Sequence, residues 1–281
     1  MSAQNYITYI QNVVLTLAGQ HSALFQGIGK NMFLGLATIM LAWFGIKTAL
    51  EAGDFLAGMH FSKFASLVIM ISFGFAMINY YSVPIPGIGT DFHHLITNET
   101  LYLSKAIGNA QLDQIAQDVD YVRANLVTPG ITDILAIFFY GLTILLLAGC
   151  EAVAIIVTAF GLVATSVCAL VGPIFIPFFI VPKLDWLFWG WLRCFIQYAF
   201  YQVIAAAVIF IIGNFFTGII HAQITGALSP TDLIKAFPLI VVTALSAIYA
   251  IIKIPMLTSH IFSGSAGGHA LDFWKSASGG A

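Results

Sequence analysis

Hydrophobic positions come in long blocks separated by short polar links. Met32 to Leu50 and Phe64 to Tyr81 each approach the roughly 20 residues that cross a bilayer, and the link between them, EAGDFLAGMHFSK, is polar enough to lie in water. Tyr80 and Tyr81 close the second block as an interfacial pair, so residues 31–81 read as a transmembrane hairpin. A third block runs from near Thr132 to Phe160. Beyond Gly161, the apolar run to Val181 contains Pro173 and Pro177 and is followed by Pro182. Each proline removes a backbone donor, which predicts a broken, re-entrant segment packed among neighbours rather than a plain span. Trp186, Trp189 and Trp191 then gather at expected interface level with Arg193 snorkelling, before spans from about Cys194 to Phe216 and from Ala236 to Ile254. The pattern predicts an all-α, polytopic membrane protein with about five spans plus the proline-broken segment, the core of it over 132–257.

Three stretches depart from that pattern. In residues 1–30, Ile7, Ile10, Val14 and Leu17 fall at helical spacing with Gln4, Gln11 and Gln20 among the polar positions. An amphipathic helix is expected there, lying on the membrane or on the protein's own surface. The first basic residue is Lys30, so a cleaved signal peptide is not expected. Residues 82–131 open with the turn-forming VPIPGIGT and become helix-like from about Asn98. Within them Leu112, Ile115, Val119, Val122 and Leu126 recur at steps of three and four. That apolar stripe needs a cover, supplied by the membrane domain, by the interface, or by docking to another subunit. The tail, 258–281, is Gly/Ser-rich.

Composition narrows the class further. Hydrophobic residues make up 60% and charged residues 8%, the mean hydropathy is +0.96, and the net charge of -2 argues against a nucleic-acid surface. Cys150, Cys168 and Cys194 lie in apolar blocks and read as buried fillers rather than a disulfide framework. His93 and His94 are adjacent, which on a helix turns their side chains apart, and with no acidic or Cys partner read at ligand spacing no metal site is expected. Gly29-Lys30 is followed by Asn31 and lacks the first glycine of a phosphate loop, and neither HExxH nor GxSxG occurs. No catalytic residue or cofactor is expected, although phospholipid can accompany such a protein.

Glu151 stands inside the third block, where an ionisable side chain costs roughly 2.5–3.5 kcal/mol on insertion scales. It is therefore expected to face a conduit or a hydrogen-bonding helix, or to sit within reach of water. A broken helix with a midplane carboxylate also suits a secondary transporter or channel for a small solute, although no internal repeat supports that alternative.

Gly172-Pro173-Ile-Phe-Ile, Pro182, Trp191-Leu192-Arg193 and then Ile254-Pro255 with a Gly-rich tail follow one another in an order that resembles the VirB6/TrbL family. That resemblance, best over about Thr132 to Gly268, implies a polytopic inner-membrane component of type IV secretion and conjugation machines. Implied partners are a homo-oligomeric ring, the stalk or minor pilin, other inner-membrane subunits, the secretion ATPases, and DNA or protein in transit. Gly172, Pro173, Trp191 and Arg193 match the family pattern with a structural role, Pro173 breaking a helix and Trp191 fixing its depth. The resemblance also implies a periplasmic N-terminus and 82–131 loop with a cytoplasmic tail. The count of Lys and Arg slightly favours six full spans with the N-terminus, the 82–131 loop and the tail all inside.

Overall fold

The computed structural model describes residues 3–50, 59–128, 133–223 and 229–262. The chain forms seven α-helices among these residues: α1 (Ala3–Leu50), α2 (Met59–Asn79), α3 (Phe92–Asn125), α4 (Ile134–Phe175), α5 (Asp185–Gln223), α6 (Pro230–Ile252) and α7 (Ile254–Phe262). A 3-10 turn, Ile176–Ile180, follows α4, and no β-strand occurs among the described residues. Five stretches are long and apolar enough to cross a membrane: Thr8–Leu50, Ser62–Asn79, Ile134–Ile180, Asp185–Ile219 and Thr231–Phe262. Their outward faces carry large bare hydrophobics such as Ile39, Trp43, Ile69, Phe138, Ile156 and Val242. In water such faces would be a liability, whereas lipid satisfies them. The polytopic all-α architecture expected from the sequence is therefore present.

Element boundaries differ from the pattern in three places. The amphipathic N-terminal segment and the first span are one continuous 48-residue helix, α1, which contains no proline to break it. α3 begins at Phe92 rather than near Asn98, because the Asp91 carboxylate accepts a hydrogen bond from the His94 backbone N–H at 2.8 Å and caps the helix. α4 does not stop at Gly161 but runs to Phe175 with Pro173 in its final turn. At 1.5 Å per residue its 42 residues extend about 63 Å, well beyond a hydrocarbon core of about 30 Å. The proline-rich irregularity is confined to the 3-10 turn and the link to Asp185.

The helices sort into two compact units. The first comprises residues 1–14, 99–164 and 198–258. Its core joins Val119, Val122 and Leu126 of the α3 segment to Leu147, Leu233 and Ile240. A second cluster packs Ala154, Tyr201, Ala205, Ile251 and Ile254, and a third holds Cys150, Ala244 and Ala247. Gly161 belongs here for steric reasons, since a Cβ on it would lie 2.4 Å from the Tyr201 ring. α6 starts where Ser229 accepts from the Asp232 N–H at 3.3 Å with Pro230 at the first helical position.

The second unit comprises residues 15–98, 165–197 and 259–281. α2 packs on the 3-10 turn, where Gly74 leaves room for the Phe33 ring and Ile180. Gln26 Nε2 donates to the Ile78 carbonyl at 3.1 Å, tying α1 to the end of α2. Aromatic rings line the same unit, with Phe73 against Phe179, Phe179 against Phe188, and Trp191 stacked on Phe195 at 5.7 Å.

Candidate functional site

Pro173 determines the local chemistry at the end of α4. It has no N–H, so the Ala169 carbonyl four residues earlier loses its helical donor, and its ring also crowds that turn. The second unit supplies the missing donor from a side chain: Tyr81 Oη donates to Ala169 O. One position earlier, Trp191 Nε1 donates to Cys168 O at 2.8 Å. Tyr81 thus answers the carbonyl that proline leaves without its helical donor, and Trp191 adds a bond to the neighbouring carbonyl of the same turn. A bare carbonyl at membrane depth costs several kcal/mol, so the Tyr81 donor offsets the loss at Ala169.

Gly172 makes this closure possible. A Cβ there would lie 2.1 Å from Tyr81 Oη and 2.6 Å from Trp191 Cζ2, so any larger residue would displace both donors. Gly29 does the same on the other side, because its Cβ would sit 2.1 Å from the Pro173 carbonyl oxygen. Cys168 and Cys194 are free thiols with sulfurs 3.7 Å apart in the same cluster.

Tyr81 links this helix end to a polar group. Its own carbonyl accepts from His93 Nδ1 at 2.8 Å, and the His93 ring stacks on the Tyr81 ring at 5.3 Å with an interplanar angle of 17°. Asp91 is buried, and its carboxylate receives His94 Nδ1 at 2.7 Å and lies 3.2 Å from His93 Nδ1. Burial pushes the His93 imidazole below its ordinary value, further lowered by His94 and partly offset by the Tyr81 carbonyl and Asp91. Burial likewise raises the Tyr81 phenol, with Cys168 and Asp91 adding to the rise, so the hydroxyl stays a neutral donor. A cavity of about 420 Å³ opens here, lined by Gly19, Ser22, Tyr81, Ser82, Asp91, His93, His94, Ala169, Leu170 and Pro173.

The expectation that adjacent histidines cannot share a ligand face is overturned. They sit in the first turn of α3, where the Asp91 cap draws both Nδ1 atoms to one carboxylate, and the two rings lie 3.8 Å apart. Asp91 was the overlooked partner; the signal for it was an Asx residue just ahead of a helical run.

The other residues singled out by sequence fall in different places. Trp191 is 6% exposed and acts as an internal brace, whereas Trp186 is 64% exposed, so a depth-fixing interfacial role does not fit Trp191. Pro173 opens the last turn of α4 without ending the helix ahead of it. Arg193 is exposed on α5, in keeping with a snorkelling side chain. In the first unit Glu151 is half-buried on α4, next to Cys150, whose thiol donates to Ala244 O at 3.4 Å. Val119, Val122 and Leu126 are 0%, 0% and 5% exposed and are covered by the chain itself, which removes them as a docking surface. The side chains of Leu112 and Ile115, and the tail from 263 onward, lie outside the described residues.

Residues 37–254 match a family model described as TrbL/VirB6 plasmid conjugal transfer protein. No curated protein matches the chain.

Proposed function

Because the chain belongs to the TrbL/VirB6 plasmid conjugal transfer family, we propose that it is a structural, channel-associated subunit of a type IV secretion machine in the bacterial inner membrane. The single observation that carries this reading is the extent of the match, which touches all five membrane-capable stretches rather than one short motif. The geometry around Gly172 and Pro173 supports it. Buried aromatic donors close a helix end there, and such an arrangement fixes helix positions without performing a reaction.

In this role identical subunits assemble as a ring, with phospholipid between apolar outer faces such as those of Ile39 and Ile156. The ring supports the stalk and minor pilin and contacts the other inner-membrane subunits. Secretion ATPases supply the energy, and DNA or protein passes through or beside the ring. The N-terminus and the 82–131 loop face the periplasm and the tail faces the cytoplasm. Glu151, half-buried in a span, is the conduit candidate because a carboxylate there is costly unless it meets water, a partner or cargo.

Complementation tests the assignment. A donor strain lacking this chain loses substrate transfer and regains it with the wild-type chain, while Glu151→Gln restores assembly but not transfer. Transfer that continues at wild-type rate without the chain would refute the secretion role, and full transfer by Glu151→Gln would remove the residue from the conduit.

A further inference from the structure

We propose that Asp91, His93 and His94 form a binding site for a divalent transition-metal ion of the zinc class at the start of α3. The donor set selects that class. Two imidazoles with one carboxylate suit Zn²⁺ and its neighbours, whereas Ca²⁺ and Mg²⁺ prefer all-oxygen shells. One ligand atom from each of the three residues lies within 4.8 Å of the others. A tetrahedral ion with bonds of about 2.0–2.1 Å sets its ligand atoms about 3.3 Å apart. His93 Nδ1 already stands 3.2 Å from one Asp91 oxygen and His94 Nδ1 2.7 Å from the other, so both imidazoles approach the carboxylate to within about the edge of such a tetrahedron.

Charge points the same way. Asp91 is 7% exposed, and its ion-pair partners among the described residues are these two histidines alone. A buried carboxylate paired with no Lys or Arg among the described residues is a place where one bound cation balances the charge. Asp91, His93 and His94 all line the cavity of about 420 Å³, which gives an ion and a water ligand room to reach them.

Both Nδ1 atoms carry protons, His94 toward Asp91 and His93 toward the Tyr81 carbonyl. On metal binding the proton on each Nδ1 gives way to the ion and Nε2 carries the ring N–H. The ion then pins the α3 cap beside Tyr81, the residue that also closes the end of α4.

Cobalt titration of the full chain in detergent, after stripping with a chelator, tests the site. The wild-type protein is expected to bind one Co²⁺ with the intense visible bands of four-coordinate geometry, and Zn²⁺ is expected to displace it. His93→Gln/His94→Gln should abolish the bands. His94→Gln alone, at a side chain 43% exposed and therefore tolerant of change, should weaken Co²⁺ by about tenfold or more. Absence of stoichiometric binding in the wild type would mean that the cluster is a hydrogen-bonded helix cap only. Bands that persist in the double variant, or an unchanged affinity in His94→Gln, would equally overturn the assignment.

Discussion

Gly172→Ala is the sharpest probe of the closure at the end of α4. The added methyl would lie 2.1 Å from Tyr81 Oη and 2.6 Å from Trp191 Cζ2, against ordinary contacts of 3.4 Å or more, so Tyr81 must retreat by more than an ångström. Both donors to α4 are displaced together, because Tyr81 bonds Ala169 O and Trp191 bonds Cys168 O. Side-chain hydrogen bonds in membrane proteins average about 0.6 kcal/mol each, overpacking costs about 1–3 kcal/mol, and exchanging Gly for Ala in a helix returns up to about 1 kcal/mol. The net loss is about 2 kcal/mol, on the order of 5 °C in Tm for a chain of this size. Thermal unfolding in detergent, followed with a thiol-reactive dye, reads it directly, since the three cysteines are buried or half-buried in spans. Tyr81→Phe removes one donor without a clash and should cost less. Pro173→Ala restores the backbone N–H to Ala169 O, so Tyr81→Phe in that background should cost little more. Gly172→Ala with wild-type Tm, or strict additivity of Tyr81→Phe and Pro173→Ala, would refute the account of proline and tyrosine as complementary partners.

Three further outcomes follow from other parts of the chain. Val122→Ala should destabilise the purified protein by about 2 kcal/mol, because Val122 is fully buried; a stability change near zero would return that face to a docking role. His93 is held below its ordinary value of 6.5, so the unfolded chain takes up a proton before the folded one; stability is full above pH 6.5 and is lost as pH falls toward the depressed value. In chelated protein, Tm should therefore fall more steeply on acidification in the wild type than in His93→Gln, and equal slopes would contradict this. Lys105→Cys, at an exposed position of α3, should be labelled by an impermeant thiol reagent in intact cells, and protection there would reverse the proposed orientation.

The spans were legible because lipid imposes a single requirement, an apolar run of sufficient length, and Met32 to Leu50 or Ala236 to Ile254 meets it without reference to any neighbour. What required the structure was whatever depends on a distant partner. Gly161 reads equally well as a helix end or as a place of close packing, and only Tyr201 decides for packing. The stripe from Val119 to Leu126 was visible as a periodicity, but its cover comes from Leu147, Leu233 and Ile240, two of them more than 100 residues away. Trp191 shares its composition cue with Trp186, yet one is buried against Cys168 O and the other is bare. The polar cluster was hidden by placing the start of α3 at Asn98, which left Asp91 in a loop and stripped the histidines of their common acceptor.

The closure at Pro173 also bears on how the chain is made. One of its donors, Tyr81, precedes the proline in the sequence, while the other, Trp191, follows by eighteen residues. During synthesis α4 can form with the Tyr81 donor to Ala169 O already made, and the Trp191 bond to Cys168 O is added when the start of α5 arrives. The order of the residues along the chain thus puts the bond that replaces the proline's missing donor within reach first and the Trp191 brace second.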